Sequence, residues 1–320
     1  MKRLACIAVI LATGSFIHAQ FPADSISQKE AEKIVGYLAA DSLRGRGNYT
    51  PQLHKVAMFI ADHFKANGLQ SFPGYKNYYH YFGSKERHEE DSNRYYSPTN
   101  ILLNVIGVLP GRSKPNEIII LSAHYDHLGV YGGDIQNGAN DNASGTAALL
   151  LLADYYARNR NNERTLIFCA FAGEELGLRG SEDFVELINA DSIVAVVNLE
   201  MIGLSTIGKN AIFITGAHHS DFQKILYKNL QGKIKVKPDP DLDKELFKRS
   251  DNFPFARKGI PAHTIMASTD AYNCYHESCD DTKYIDFPNM MKIIKAIPLA
   301  LSTIVKGKDT PTRINPRRIY

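Results

Sequence analysis

Tryptophan is absent from this sequence of 320 residues, so none of its binding pockets contains an indole ring. An excess of one charge is also lacking, because 37 lysines and arginines are balanced by 34 aspartates and glutamates. No basic stripe is present, which argues against a nucleic-acid partner. No apolar run reaches the roughly 20 residues that a membrane span needs. What remains is a globular composition, 44% hydrophobic and 22% charged, with enough apolar sequence for a sizeable core.

The first 20 residues have the composition of a secretory signal peptide. Lys2 and Arg3 form a positively charged start, residues 4–13 form an apolar run, and small residues continue to Ala19. We therefore predict a signal peptide over residues 1–20 and export of the remaining chain to the periplasm or the extracellular medium. The alternative is that residues 4–13 form a buried strand or helix at the start of the domain.

Cysteine is scarce, and only three of the four cysteines follow the predicted signal peptide. Cys274 and Cys279 are close enough in sequence to close a small loop, and export would permit a disulfide there. Cys169 lies in an apolar run and is predicted to be a buried free thiol. The odd number of cysteines favours one bridge and one free cysteine.

Apolar runs alternate with segments of helical periodicity along most of the chain. Continuous apolar runs favour strands that are buried on both faces, whereas apolar residues at spacings of three and four favour helices. This alternation predicts a single α/β/α sandwich around a mostly parallel, mixed central sheet, formed by one domain over residues 21–320. The predicted strands are 75–82, 100–109, 117–123, 165–171, 192–199, 211–215 and 261–266, and the predicted helices are 28–38, 52–67, 143–157, 176–188, 220–230 and 286–305. Residues 84–97 are charged and predicted to form a loop.

Short polar clusters follow three of the predicted strands, and two more lie in loops. In open α/β sheets, ligands bind beyond the carboxyl ends of the strands, so we expect these clusters to meet there. Each contains a carboxylate or an imidazole group. The candidate residues are His124 and Asp126 after strand 117–123, Asp141 in a loop, Glu174 and Glu175 after strand 165–171, Glu200 after strand 192–199, and Tyr275 with His276 in a later loop.

Mixed imidazole and carboxylate side chains of this kind suit a two-metal hydrolase. Two cations about 3.5–4 Å apart hold a water and the scissile carbonyl, and a shared carboxylate bridges them. Histidine, aspartate and glutamate are all common zinc ligands. A further carboxylate must accept a proton from the water, and the pair Glu174-Glu175 can divide these two tasks.

The sequence resembles the secreted zinc aminopeptidase family of co-catalytic dizinc exopeptidases, whose relatives include glutaminyl cyclases and transferrin-receptor-like proteins. The similarity extends from about residue 36 to residue 294. It implies a zinc exopeptidase-like fold, about two zinc ions per chain, and removal of amino acids from the N-termini of peptide substrates. The motifs that carry it are residues 122–127, 138–145, 171–177, 198–203 and 275–276.

The resemblance implies a metal ligand at each of five positions. Asp141 would bridge the two metals. His124 and Glu200 would complete one metal site, and Glu175 with His276 would complete the other. The resemblance also implies an unusual backbone, often a cis peptide, beside Asp141.

Four further residues receive roles by the same resemblance. Glu174 would be the general base that takes a proton from the water and later protonates the leaving amine. Tyr275 would stabilise the tetrahedral oxyanion. Asp126 would hold the second ring nitrogen of His124. Asp251 would belong to the outer layer of the pocket, with a helix N-cap as the alternative role.

Two positions depart from the family pattern. The family usually has aspartate where this chain has Glu200, and the extra methylene group could move or weaken one metal. Because glutamate also binds zinc well, we expect that metal site to be retained. The family usually has histidine where this chain has Asn252.

Each candidate also has a structural alternative. Asp141 could cap a helix, the pair Glu174-Glu175 could be a solvated helix start, and Tyr275 could serve packing alone. Of the remaining histidines, we interpret His263 and most others as structural or surface residues. His127 could line the rim of the site, but we leave it outside the ligand set. Residues 44–47 are interpreted as a surface turn.

An aminopeptidase is the leading function. A glutaminyl-peptide cyclotransferase with a single zinc is the alternative, and the absence of tryptophan counts against it because those relatives commonly place tryptophans around the substrate. A non-catalytic binding module is a third hypothesis, which the intact ligand set and Glu174 disfavour. The sequence does not indicate an oligomeric state.

Overall fold

The computed structural model describes residues 21–83 and 101–319. The predicted signal peptide and the predicted loop at residues 84–97 lie outside these ranges and stay predictions. The strands are β1 Gln70–Ser71, β2 Tyr79–Phe82, β3 Leu102–Leu109, β4 Lys114–His124, β5 Gly129–Tyr131, β6 Asp134–Gln136, β7 Arg164–Phe171, β8 Ile193–Leu199, β9 Ala211–Ile214, β10 Lys235–Lys237 and β11 Ala262–Met266. The helices are α1 Gln28–Leu38, α2 Pro51–Ala66, α3 Gly145–Asn159, α4 Arg179–Val185, α5 Phe222–Leu230, α6 Phe253–Arg257, α7 Phe287–Ala300 and α8 Ser302–Val305.

Nine strands form one mixed sheet in the order β1-β3-β7-β4-β8-β11-β9-β10, with β2 also paired to β3. Its centre is parallel, because β4 pairs in parallel with β7 and β8, and β11 in parallel with β8. Antiparallel pairs occur towards both edges, where β3 meets β7 and β9 meets β11. The predicted mostly parallel, mixed sheet is therefore confirmed.

Alternating side chains of the central strands enter two separate cores. In β4, Ile119 and Leu121 pack in a core shared with α1, α2, α3, α5 and α7, whereas Ile120 packs in a second core shared with α4 and α6. Successive side chains of a strand point to opposite faces of the sheet, so a continuous apolar run supplies both cores. This arrangement is the predicted α/β/α sandwich.

The helix predicted over residues 176–188 is wrong in its extent, since α4 covers only Arg179–Val185. Gly177 and Leu178 have φ angles of 89° and 62°, which belong to the left-handed region and interrupt a right-handed helix. The long C-terminal helix predicted over residues 286–305 is divided at Leu301 into α7 and α8, three residues after Pro298.

The cysteine prediction is confirmed. Cys274 and Cys279 form a disulfide, and Cys169 is a buried free thiol in β7. The disulfide closes a short loop that contains Tyr275 and His276. Among residues 21–83 and 101–319, no helix combines the length and apolar character that a bilayer span requires.

His263 is a structural histidine in the fully buried interior of β11. Its Nδ1 lies 2.9 Å from the Thr215 carbonyl oxygen, and its Nε2 lies 2.6 Å from the Ser220 hydroxyl. A neutral ring can donate to the carbonyl and accept from the hydroxyl. Burial accordingly lowers the pKa of His263 from 6.5 to about 4.

This lowered pKa predicts that acid destabilises the protein. Between pH 6.5 and pH 4, His263 takes up a proton in the unfolded chain but not in the folded chain, so the free energy of unfolding falls as pH falls. We expect His263 to account for about 3 kcal/mol of loss across this interval. Denaturant unfolding of the wild type and of His263→Gln at pH 7 and pH 4 measures this loss in the free energy of unfolding. An equal pH dependence in the two proteins would contradict the prediction.

Candidate metal centre

The predicted site residues come together beyond the carboxyl ends of the central strands. His124 is the last residue of β4, Glu200 directly follows β8, and Glu174 and Glu175 lie in the turn after β7. Asp141 lies in the irregular helical turn Ala139–Ser144 that leads into α3. Because parallel neighbours end at the same edge of a sheet, four distant stretches of sequence meet at one place.

Two local features hold Asp141 near that edge. Gly145 begins α3, and a Cβ atom there would lie 2.2 Å from the carbonyl oxygen of Leu199, so only glycine permits this approach of α3 to β8. The Asp280 carboxylate accepts hydrogen bonds from the main-chain N–H groups of Asn140 and Asp141. The peptide bond after Asp141 is cis, as the resemblance implies.

Asp141 lies at the centre of the cluster. Its Oδ1 is 3.3 Å from His124 Nε2, and its Oδ2 is 3.2 Å from His276 Nε2. Burial acts to raise the pKa of Asp141, but hydrogen bonds from both histidines hold it well below its usual value. Ser144, not Asp141, is the N-cap residue of α3, so the helix-cap alternative is wrong. One carboxylate therefore reaches an imidazole group on each of its two sides.

On the His124 side, the structure brings together His124, Glu174 and Glu200. One potential ligand atom from each residue lies within 4.8 Å of the others. Burial raises the pKa of Glu200 to about 7 and that of Glu174 well above its usual value, and neighbouring carboxylates add to both effects. This crowding of acidic groups in a buried place favours either a proton or a cation between them.

On the other side, Glu175 lies between two histidines. Its Oε2 is 3.3 Å from His276 Nε2, and its Oε1 is 2.8 Å from His127 Nδ1. Burial and Asp141 act to raise the pKa of Glu175, but the two histidines bring it down to about 2. Burial acts to lower the pKa of His276, but the carboxylates of Asp141 and Glu175 raise it to about 10.

His127, which the sequence places no closer than the rim of the site, lies within the cluster. This side chain is buried, contacts Glu175, and its Nε2 has no hydrogen-bond partner among the described residues. His127, Asp141 and Glu175 place one potential ligand atom each within 4.8 Å of one another. The available signal was its position three residues after His124, in the segment that directly follows a buried strand.

Asp126 supports the turn after β7 more directly than it supports His124. Its carboxylate accepts hydrogen bonds from the main-chain N–H groups of Glu174 and Glu175 at 3.3 Å, and from Asn48 at 2.6 Å. The closest contact of His124 Nδ1 is the main-chain oxygen of Asp126 at 3.2 Å, whereas the Asp126 carboxylate is 3.8 Å away.

The remaining predicted residues lie around the cluster. Tyr275 stacks on His276 with ring centroids 3.8 Å apart, and its hydroxyl lies 3.4 Å from Arg249. Asp251 is fully buried just before α6, where burial raises its pKa to about 7. The N-cap residue of α6 is Asn252, so the capping alternative for Asp251 is wrong.

A small cavity opens onto the cluster. Asp141, Glu174 and Glu200 line it, and the remaining lining residues are Met201, Leu246, Arg249, Met266, Asp270 and Tyr275. The turn with Glu174 and Glu175 lies before α4, which begins only at Arg179, so the helix-start alternative for these glutamates is also wrong.

Arg46 is fully buried, which contradicts the predicted surface turn. Its guanidinium group donates to four carbonyl oxygens at 2.6–3.0 Å, those of Leu38, Tyr125, Asn137 and Gly138. Burial lowers its pKa to about 10, against the opposing effect of nearby carboxylates, so Arg46 remains charged at neutral pH. It joins the segment after β4 to the segment before Asp141.

The donor set fits zinc. Imidazole nitrogens and carboxylate oxygens are typical zinc ligands, and two groups of three such donors are close enough to hold an ion, one with His124, Glu174 and Glu200 and the other with His127, Asp141 and Glu175. The crowding of buried carboxylates, which raises the pKa of Glu174 and Glu200, is also a charge arrangement that a bound cation would compensate.

Comparison with known proteins agrees with this chemistry. A probable zinc metalloprotease of Pyrenophora teres f. teres is 36% identical over 121 residues, which are 36% of this chain and 25% of that protein. The aminopeptidase YwaD of Bacillus subtilis is 26% identical over 232 residues, which are 66% of this chain and 46% of that protein. The chain therefore spans about half or less of the length of these relatives.

Solved structures share the fold at low sequence identity. A zinc aminopeptidase from Bacillus subtilis has a TM-score of 0.65 at 16% identity, over 88% of this chain and 95% of that one. A glutaminyl cyclase of Bacteroides thetaiotaomicron bound to N-acetylhistamine has a TM-score of 0.64 at 16% identity, over 86% and 97%. The family profile of peptidase family M28 matches residues 104–300, more than half of the sequence, and the chain belongs to this family.

Proposed function

We propose that this protein hydrolyses the N-terminal peptide bond of peptides with two zinc ions and with Glu174 as the general base. The observation that carries the proposal is the position of Asp141, whose two carboxylate oxygens each lie close to a different histidine. A further glutamate accompanies each histidine, Glu200 on one side and Glu175 on the other. Membership of peptidase family M28 supports the reaction class.

The proposed ligands divide into two sets that share Asp141. His124 and Glu200 would hold one zinc, and Glu175 and His276 would hold the other. Bound zinc would supply Lewis-acid polarisation of the scissile carbonyl and a lowered pKa for a water molecule. His127 contacts Glu175 through Nδ1 and would fix the orientation of that carboxylate.

Glu174 lines the cavity and belongs to the same turn as Glu175. In the proposed mechanism its carboxylate accepts a proton from the attacking water and returns it to the leaving amine. Main-chain hydrogen bonds to Asp126 hold the turn and therefore the direction of Glu174. Tyr275, which also lines the cavity, would donate a hydrogen bond to the oxyanion.

Zinc content and turnover, measured on one preparation, test this proposal. We expect about two zinc ions per chain and release of N-terminal residues from a panel of aminoacyl substrates. A chelator should abolish this release, and added zinc should restore it. About one zinc with cyclisation of N-terminal glutaminyl substrates, and no peptidase activity, would overturn the proposal in favour of a cyclotransferase.

A further inference from the structure

Glu200 ends in a buried hydrogen-bond network that lies outside the set of proposed ligands. Its Oε2 accepts a hydrogen bond from the Ser250 hydroxyl, and the Asn198 side-chain amide lies 3.3 Å from the same oxygen. The hydrogen bonds that the structure describes for this carboxylate all go to Oε2. The other oxygen, Oε1, is left for a cation.

The direction of each hydrogen bond in the network is fixed by chemistry. The Ser122 hydroxyl donates to Asn198 Oδ1 at 2.8 Å, which turns the Nδ2 group of Asn198 towards Ser250 at 2.7 Å. An amide NH₂ group can only donate, so Ser250 accepts from it. The single hydroxyl proton of Ser250 is therefore free to go to Glu200.

Further hydrogen bonds, through Thr264 to Asn252, also hold the side-chain amide of Asn198. Asn198 Nδ2 lies 3.2 Å from the Thr264 hydroxyl, which donates to Asn252 Oδ1 at 2.8 Å. Asn252 Nδ2 donates to the Phe247 carbonyl oxygen at 3.0 Å, which leaves only its Oδ1 to accept. The two positions where the sequence departs from the family pattern, Glu200 and Asn252, thus lie at the two ends of one network.

All members of this network are buried. Ser122, Asn198, Asn252 and Thr264 are 0% exposed, and Ser250 is 2% exposed. They come from β4, β8, β11 and the segment that leads into α6, so the sheet itself fixes their positions. In a water-free environment, fully satisfied hydrogen bonds hold a side chain in a single orientation.

We propose that Ser250, oriented by Asn198, is a positioning residue that fixes Glu200 so that Oε1 serves as its single zinc-binding atom. This inference rests on the proposed function, because it requires a metal at the His124 side of the centre. A glutamate has one more rotatable bond than an aspartate, and the hydrogen bond from Ser250 removes that freedom. Outer hydrogen bonds of this kind typically change metal affinity by about 10–100-fold.

The test measures zinc affinity site by site in Ser250→Ala, by calorimetry and by zinc content after dialysis. We expect one of two zinc ions to bind about 10–100-fold more weakly, while the other is retained. Ser250→Thr keeps the hydroxyl and should restore binding. Thr165→Ala is the control, because Thr165 is buried at the other end of β7 and its hydroxyl donates to the Pro115 carbonyl oxygen instead.

The outcomes separate this inference from the proposed function. A wild-type chain that binds no zinc overturns both. If the wild type binds zinc and Ser250→Ala binds it with the same affinities, the positioning role alone is overturned. The same conclusion follows if Ser250→Ala weakens both zinc sites equally, or if Ser250→Thr does not restore binding. If Ser250→Ala does not fold, Ser122→Ala carries the test, because it frees Asn198 without touching Glu200, and unchanged zinc affinity there overturns the proposal.

Discussion

Replacement of Glu174 by glutamine is expected to lower turnover by about 10³-fold, within the range found for removal of a general acid or base. Glutamine has the shape of glutamate but cannot accept a proton from the attacking water. Its amide still fits the cavity, so zinc content and thermal stability should stay close to those of the wild type. Turnover is measured as the release of N-terminal residues at saturating substrate, and zinc content and thermal unfolding are measured on the same preparation.

Glu182→Gln provides the control for this substitution. Glu182 lies on α4 and pairs at the surface with Arg257 at 2.8 Å, away from the cavity. We expect it to keep wild-type turnover. Loss of a zinc ion in Glu174→Gln would show that Glu174 is a ligand, and retained turnover would show that another group acts as the base. Either result would contradict the assigned role.

Replacement of Arg46 by alanine is expected to destabilise the protein by at least about 3 kcal/mol. The substitution leaves four buried carbonyl oxygens without their donor. It also removes a positive charge close to Asp141, Asp126, Asp280 and Glu175, whose mutual repulsion then increases. Thermal unfolding with and without zinc should show a melting temperature lowered by at least about 5 °C in both states.

Arg46→Lys should rescue little of this loss. A lysine presents one compact ammonium group and cannot reach four carbonyl oxygens that are arranged for a planar guanidinium. Arg257→Ala, which removes an exposed arginine, should change stability by less than about 0.5 kcal/mol. A loss for Arg46→Ala as small as that of the surface control would show that water replaces the guanidinium group.

The buried parts of the fold were predictable from the sequence. Runs such as that of β4 are apolar on both faces, and the period of α2 is helical, so each pattern has one physical explanation. The short strands β1, β5, β6 and β10 were not predicted. Strands of two or three residues have no pattern of their own, and their pairing depends on neighbours that are distant in sequence.

The resemblance to the zinc aminopeptidases supplied Asp141, Tyr275 and His276, which lie in loops, whereas other site residues were predictable because they follow a strand. This rule brought His124, Glu174 and Glu200 together, because the ends of parallel strands coincide in space. It did not reveal Arg46, whose burial depends on carbonyl groups of three separate segments. It also applies to His127, three residues after His124, but it did not show that this histidine contacts Glu175, which is a property of the folded chain.

The dispersal of the proposed ligands has a consequence for the timing of activity during synthesis. The five proposed ligands lie between residues 124 and 276 of the chain, and His276 is the last of them. A nascent chain therefore holds an incomplete set until residue 276 has left the ribosome and the loop closed by Cys274 and Cys279 has joined the sheet edge. A partly made chain would therefore lack the complete set of proposed zinc ligands, and with it the proposed peptidase activity, until late in synthesis.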